Sequence, residues 1–111
     1  MPDKSLLWAG SSLQDLRVFP PDARREAGFQ LRRVQQGWMP ADFKPLSTVG
    51  HGTYEIRIHT TREHRVIYIA KFAEGIYVLH AFEKRTRRTR PVDLELARQR
   101  LAEVLRQRNS Q

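Results

Sequence analysis

Three observations predict a small α+β domain: two N-terminal helices packed on a small antiparallel sheet, with a C-terminal helix. Two stretches of helical apolar spacing come first, three β-rich runs joined by tight turns follow, and a long amphipathic stretch closes the sequence. The 111 residues suffice for one core and not two, so residues 1–111 are expected to be a single domain. With 40% hydrophobic and 29% charged residues, wholesale disorder is excluded.

Each element has a local reason. Ser5 to Trp8 is a short apolar run before Gly10 and reads as an edge strand. Ser11 or Ser12 can cap the first helix, and Asp15 puts negative charge in its first turn. Leu13, Leu16 and Phe19 follow at helical spacing until Pro20–Pro21 ends the element. Pro21 suits the first turn of a second helix, whose Ala23, Ala27, Leu31 and Val34 form one stripe and whose stop is Gly37. Trp38 to Gly52 holds two prolines and two glycines and reads as a long irregular connection.

Tyr54, Ile56 and Ile58 then alternate with Glu55, Arg57 and His59, a strand with one apolar and one polar face. After a polar turn, Arg65 to Phe72 is almost continuously apolar, the pattern of a strand covered on both faces. Ala73 to Gly75 is a tight turn, and Ile76 to Phe82 completes an antiparallel meander, with His80 expected on the same side as Val78 and Phe82. Pro91 opens the last helix, striped by Leu94, Ala97, Leu101, Val104 and Leu105. The helices are expected on one face of the sheet.

Charge points to the class of partner. Formal net charge is +8, which makes polyanions the first partners to consider. Residues 1–83 hold 11 basic and 9 acidic side chains, whereas residues 84–111 hold 9 and 3, so the excess sits at the end. Lys84, Arg85, Arg87, Arg88 and Arg90 crowd one short segment without an acid, a phosphate-binding rim or a solvated linker. The absence of cysteine excludes a disulfide scaffold, a thiol nucleophile and a thiolate metal site. Met1 to Gly10 has neither the length nor the apolarity of a leader or membrane span, so a cytoplasmic location is expected.

The chemistry is expected on the polar strand faces. Arg57, Arg65 and Lys84, on neighbouring strands about 4.8 Å apart, are placed to converge on one polyanion, with Arg65 directing its charge outward. His51, His59, His64 and His80 lack metal-ligand spacing, Gly50–His51–Gly52 is too short for a nucleotide loop, and Ser11–Ser12 has no nucleophile-elbow pattern. Lysines and arginines can nevertheless cleave RNA unaided. They stabilise charge on the scissile phosphate while the attacking 2′-hydroxyl comes from the RNA, so neither a metal nor a cofactor is needed.

Several short motifs in order carry a resemblance. Trp8-x-x-Ser11, Phe19–Pro20, Gly28-x-x-Leu31-x-x-Val34–Gln35-x-Gly37 and Phe43–Lys44–Pro45–Leu46 come first. Val49–Gly50-x-Gly52-x-Tyr54–Glu55–Ile56–Arg57, Arg65–Val66–Ile67–Tyr68 and Leu79–His80–Ala81–Phe82-x-Lys84–Arg85–Thr86 follow. From about Trp8 to Arg100 the chain resembles the HigB-like, phage-derived branch of the RelE/ParE toxin superfamily. The resemblance implies a RelE-like fold and the toxin half of a type II toxin–antitoxin pair. It implies cleavage of messenger RNA on the ribosome without a metal, and a HigA-like helix-turn-helix antitoxin as partner.

By the same resemblance Arg65 and Arg85 hold the scissile phosphate, and Arg57 and Lys84 bind substrate or assist proton transfer. Lys71, Arg87, Arg88 and Arg90 are assigned to RNA or ribosome binding. Glu55 stands where some RelE-like toxins have a lysine. An arginine stays protonated, so His80 and Glu55 are the candidates for general base. Two other classes fit the same basicity: a ParE-like inhibitor of DNA gyrase without nuclease activity, and a non-catalytic nucleic-acid-binding module.

Overall fold

The computed structural model describes residues 3–110. In chain order the elements are β1 (Leu6–Trp8), α1 (Ser12–Arg17), α2 (Pro21–Gln35), β2 (Phe43–Pro45), β3 (Thr53–His59), β4 (Glu63–Phe72), β5 (Gly75–Glu83) and α3 (Pro91–Asn109). The strands form one sheet in the order β1-β5-β4-β3-β2. The meander β3-β4-β5 is antiparallel as its turns require, but β1 runs parallel to β5, so the sheet is mixed. Among the described residues the fold is α+β, with three helices and five strands.

The α2 stripe behaves as its spacing predicts. Ala23, Ala27, Leu31 and Val34 are buried against Ile56, Ile58, Val66, Tyr68, Ile76 and Val78, together with Leu16 and Phe19 from the α1 segment. Gly37 ends α2 at φ +90°, a conformation that a side chain would strain. Ser11 holds the N-cap position of α1, yet its hydroxyl donates to Asp15 Oδ2 at 2.8 Å instead of serving a helix N–H. Ser12 is buried and donates to Val78 O.

Three expectations are corrected. First, the helices do not share one face. Ala97, Leu101 and Val104 of α3 pack with Ile67, Ile69, Phe72 and Leu79 on the side opposite α1 and α2. A central strand apolar on both faces needs cover on both. Leu105 leaves this stripe and is exposed. Second, the connection after Gly37 contains β2, which pairs antiparallel with β3 and places Lys44 opposite Glu55. Third, the register of β5 slips at Leu79: Tyr68 faces Val78, but Ile67 faces His80. The inserted residue turns His80 toward α3, away from the side Val78 faces, where it shares a bond with Asp93 Oδ1 at 2.8 Å.

These layers position the site. The α3 helix covers one half of its sheet face, over Ile67, Ile69, Phe72 and Leu79. The other half, toward the ends of β3 and β4 that carry Arg57 and Arg65, lies beside the 84–90 segment that leads into α3.

Candidate functional site

Arg57 and Arg65 stand directly opposite each other on β3 and β4. Like charges in that relation destabilise a sheet unless they are compensated. The compensation is unequal, and that inequality defines the site. Arg65 is almost wholly enclosed and held between two carboxylates: Nε lies 3.7 Å from Glu55 Oε1 and Nη2 lies 3.1 Å from Glu63 Oε1. Its Nη1 donates to the carbonyl of His64 at 2.9 Å. The expectation that Arg65 directs its charge outward is therefore corrected. A position at the start of a strand predicts exposure, whereas flanking acids from two strands draw this guanidinium inward.

Arg57 is more than one-third exposed, and its one carboxylate contact among the described residues is a long one of 3.9 Å to Asp42 Oδ1. It lines a groove of about 550 Å³ with Lys44, Lys84, Arg87 and Arg88, walled by Leu46 and Leu94. Glu55 lies at the floor, buried, and accepts a hydrogen bond from Thr89 Oγ1 at 2.8 Å. Among the described residues Lys44, Lys84, Arg87 and Arg88 have no carboxylate within 4 Å. Among the described residues the Nε of Arg57 and the Nε of Arg65 are each buried without a hydrogen-bond partner, so the two differ in carboxylate contact and exposure. Five cations thus share one concavity whose single carboxylate is already engaged below them. Such a cavity concentrates anions and matches phosphate oxygens.

The other residues singled out in the sequence lie elsewhere. His80 and Arg85 line a separate cleft of about 480 Å³ with Phe19, His64, Phe82 and Glu83. His80 is buried and stacks on Phe82, and Arg85 is paired with Glu83. Lys71 sits at the far end of β4 with Nζ 5.6 Å from the centre of the Phe72 ring. Arg90 precedes α3 and bonds Asp93 Oδ2 at 3.2 Å. No three His, Cys, Asp or Glu side chains converge as a metal site among the described residues.

Comparison with known families decides the kinship. The family model described as Phage derived protein Gp49-like (DUF891) matches residues 14–102 of the 111. The chain belongs to this Gp49-like family. It is a phage-derived, RelE-like toxin family of toxin–antitoxin systems. A comparison with curated proteins finds no match.

Within this Gp49-like chain two members of the groove were missed in the sequence. Lys44 enters only because β2 pairs with β3, and Thr89 enters through its bond to Glu55. The motif Phe43–Lys44–Pro45–Leu46 was the available signal for Lys44.

The carboxylates that approach Arg57 and Arg65, Asp42 and Glu63, also form a pH-sensitive clasp around His59. His59 is hydrogen-bonded to Asp42 Oδ2 at 2.6 Å and to Glu63 Oε1 at 2.7 Å. The bond to Asp42, then that to Glu63, raises its pKa above 6.5. A raised folded-state pKa gives stability that is fully present below the unfolded value and lost as pH rises through the folded one. Half-exposed pairs contribute at most about 1 kcal/mol. The unfolding midpoint is expected to fall modestly as pH increases above 6.5, and His59→Gln should flatten that slope. Thermal melts of both chains across this range check it; parallel curves would remove His59 from the account.

Proposed function

We propose that this chain is the toxin of a type II toxin–antitoxin pair, of the HigB-like branch with a RelE-like fold. Its activity is metal-independent cleavage of messenger RNA on the ribosome. The observation that carries the reading is the groove in which Arg57 and Lys84 meet Lys44, Arg87 and Arg88 with little internal neutralisation. Membership in a toxin family supports it.

The chemistry needs no group beyond these side chains. The ribose 2′-oxygen attacks the adjacent phosphorus and loses its proton to a base. The P–O5′ bond breaks, and the departing 5′-oxygen takes a proton, leaving a 2′,3′-cyclic phosphate. Arg57 and Lys84 stabilise the charge that builds on the phosphoryl oxygens. Lys44, Arg87 and Arg88 hold neighbouring phosphates, since positioning contacts normally outnumber chemical ones. Of the two candidate bases, Glu55 lines the groove and His80 does not, which favours Glu55. Arg65 acts as a positioning residue: it holds the Glu55 carboxylate beneath the groove. The cognate antitoxin in this reading is a small helix-turn-helix protein, and the site of action is wherever ribosomes translate.

Pulse-labelling after induction tests the class. Protein synthesis is expected to fall before DNA synthesis. DNA synthesis falling first, with gyrase-linked breaks, would establish the ParE-like reading instead.

A further inference from the structure

His80 and Asp93 are buried titratable groups outside the groove, each only 6% exposed. Asp93 sits in the first turn of α3, where a carboxylate suits the helix dipole. An exposed carboxylate would serve the dipole equally well, so the dipole does not explain its burial. Burying a charge is costly unless partners compensate it. Asp93 has two: Oδ1 bonds His80 Nε2 on β5 at 2.8 Å, and Oδ2 accepts from Arg90 Nε at 3.2 Å. The other side of the imidazole is occupied as well. Arg100 Nη1 lies 3.5 Å from His80 Nδ1 while donating to Leu79 O at 2.9 Å. A guanidinium only donates, so Nδ1 accepts there and Nε2 carries the proton that Asp93 receives. Both ring nitrogens are committed to neighbours, which suits a structural link and not a base.

That link stands at one end of the basic segment. Lys84, Arg87 and Arg88, which line the groove, belong to the stretch between β5 and α3. Like charges so close repel one another, and a connecting stretch spreads unless it is tied down. Lys84 N donates to Glu63 O at 2.8 Å at its start, and Thr89 Oγ1 donates to Glu55 near its end. Beyond Thr89, the residues Arg90, Pro91 and Val92 are exposed, and the apolar contacts of α3 begin at Leu94 and Ala97. Between Thr89 and Leu94 the bond from Asp93 to His80 is the one side-chain tie to the sheet among the described residues.

We infer that His80 and Asp93 form a positioning latch for the groove. The latch fastens the first turn of α3 to β5 and so holds Arg87 and Arg88 within reach of the RNA phosphates, while neither latch residue touches RNA. Its effect on substrate rests on the RNA-cleavage reading; the latch itself stands on the hydrogen bonds alone. Arg87 and Arg88 hold phosphates that are not cleaved, so the latch acts on substrate binding. Loosening it raises KM and leaves kcat, which depends on Arg57 and Lys84, nearly as it was.

The test compares the full chain with its Asp93→Ala and Asp93→Asn variants on ribosomes loaded with a defined message. Amide hydrogen exchange is followed on the free proteins. Asp93→Ala is expected to raise KM about tenfold with kcat within about twofold of wild type. Exchange at the amides of residues 93 and 94, which bond Arg90 O, should quicken by about tenfold or more. Asp93→Asn keeps an oxygen for His80 and should return both readouts close to wild type. Added to Arg87→Gln with Arg88→Gln, Asp93→Ala should raise KM no further, because the latch acts through those two side chains. Additive effects on KM, or a fall in kcat alone, would overturn the role in binding. Unchanged exchange in Asp93→Ala would overturn the latch itself, whatever the activity. An Asp93→Ala chain without a cooperative melt would overturn it too, because the pair would then hold up the whole fold. A wild-type chain that leaves the message intact, with exchange responding as expected, defeats the RNA-cleavage reading and leaves the tie of α3 to β5 standing.

Discussion

Arg57→Gln and Lys84→Gln are each expected to slow messenger RNA cleavage by about 10²- to 10³-fold, the cost of removing a preorganised charge from a transition state. Stability should change by no more than about 0.5 kcal/mol, because both side chains reach solvent and neither makes a close ion pair among the described residues. The combination separates chemistry from folding. The rate is measured on ribosome-bound message and stability by thermal melts on the same preparations. A folded double variant with an undiminished rate would take both residues out of the site.

Arg65→Ala has the opposite signature. Its guanidinium and the Glu55 carboxylate are only 5% and 3% exposed. Removing the cation leaves a buried carboxylate without its charge partner, a change that costs about 3–5 kcal/mol. The melting temperature should fall by more than about 10 °C, and activity should go with the fold. Replacing the pair together, Glu55→Leu with Arg65→Met, should recover most of the stability, because apolar groups of similar volume need no compensation. That double variant should still lack activity, since the floor of the groove is gone. An Arg65→Ala chain as stable as wild type would mean that the ion pair holds nothing together.

The parts of this molecule legible in its sequence are those fixed by local spacing. The Ala23–Ala27–Leu31–Val34 stripe, the alternation from Tyr54 to Ile58 and the apolar run of β4 each identify an element without knowledge of its neighbours. The β4 run, covered on both faces, already stood against helices on one side alone, and α3 supplies the second cover. What depended on pairing was hidden. The three residues of β2 are too few for a period, and Pro45 within them suggested a loop although proline is tolerated on an edge strand. The extra residue at Leu79 reverses the alternation behind it, which no count of twos foresees. The basic run from Lys84 was visible as charge, and the groove draws Lys84, Arg87 and Arg88 from it. The burial of Arg65 was not visible, because Glu55 reaches it only across the β3–β4 ladder.

The chemical identity of the RNA ends tests the central claim most directly. Ribosomes carrying a defined message are incubated with the purified chain, and the new termini are mapped and characterised. Attack by the RNA's own 2′-hydroxyl, assisted by Arg57 and Lys84, predicts a 5′-hydroxyl on one fragment and a 2′,3′-cyclic phosphate or its hydrolysed monophosphate on the other. Both should vanish with Arg57→Gln and Lys84→Gln combined. A 5′-phosphate opposite a 3′-hydroxyl, or an intact message in a culture whose growth has stopped, would contradict it.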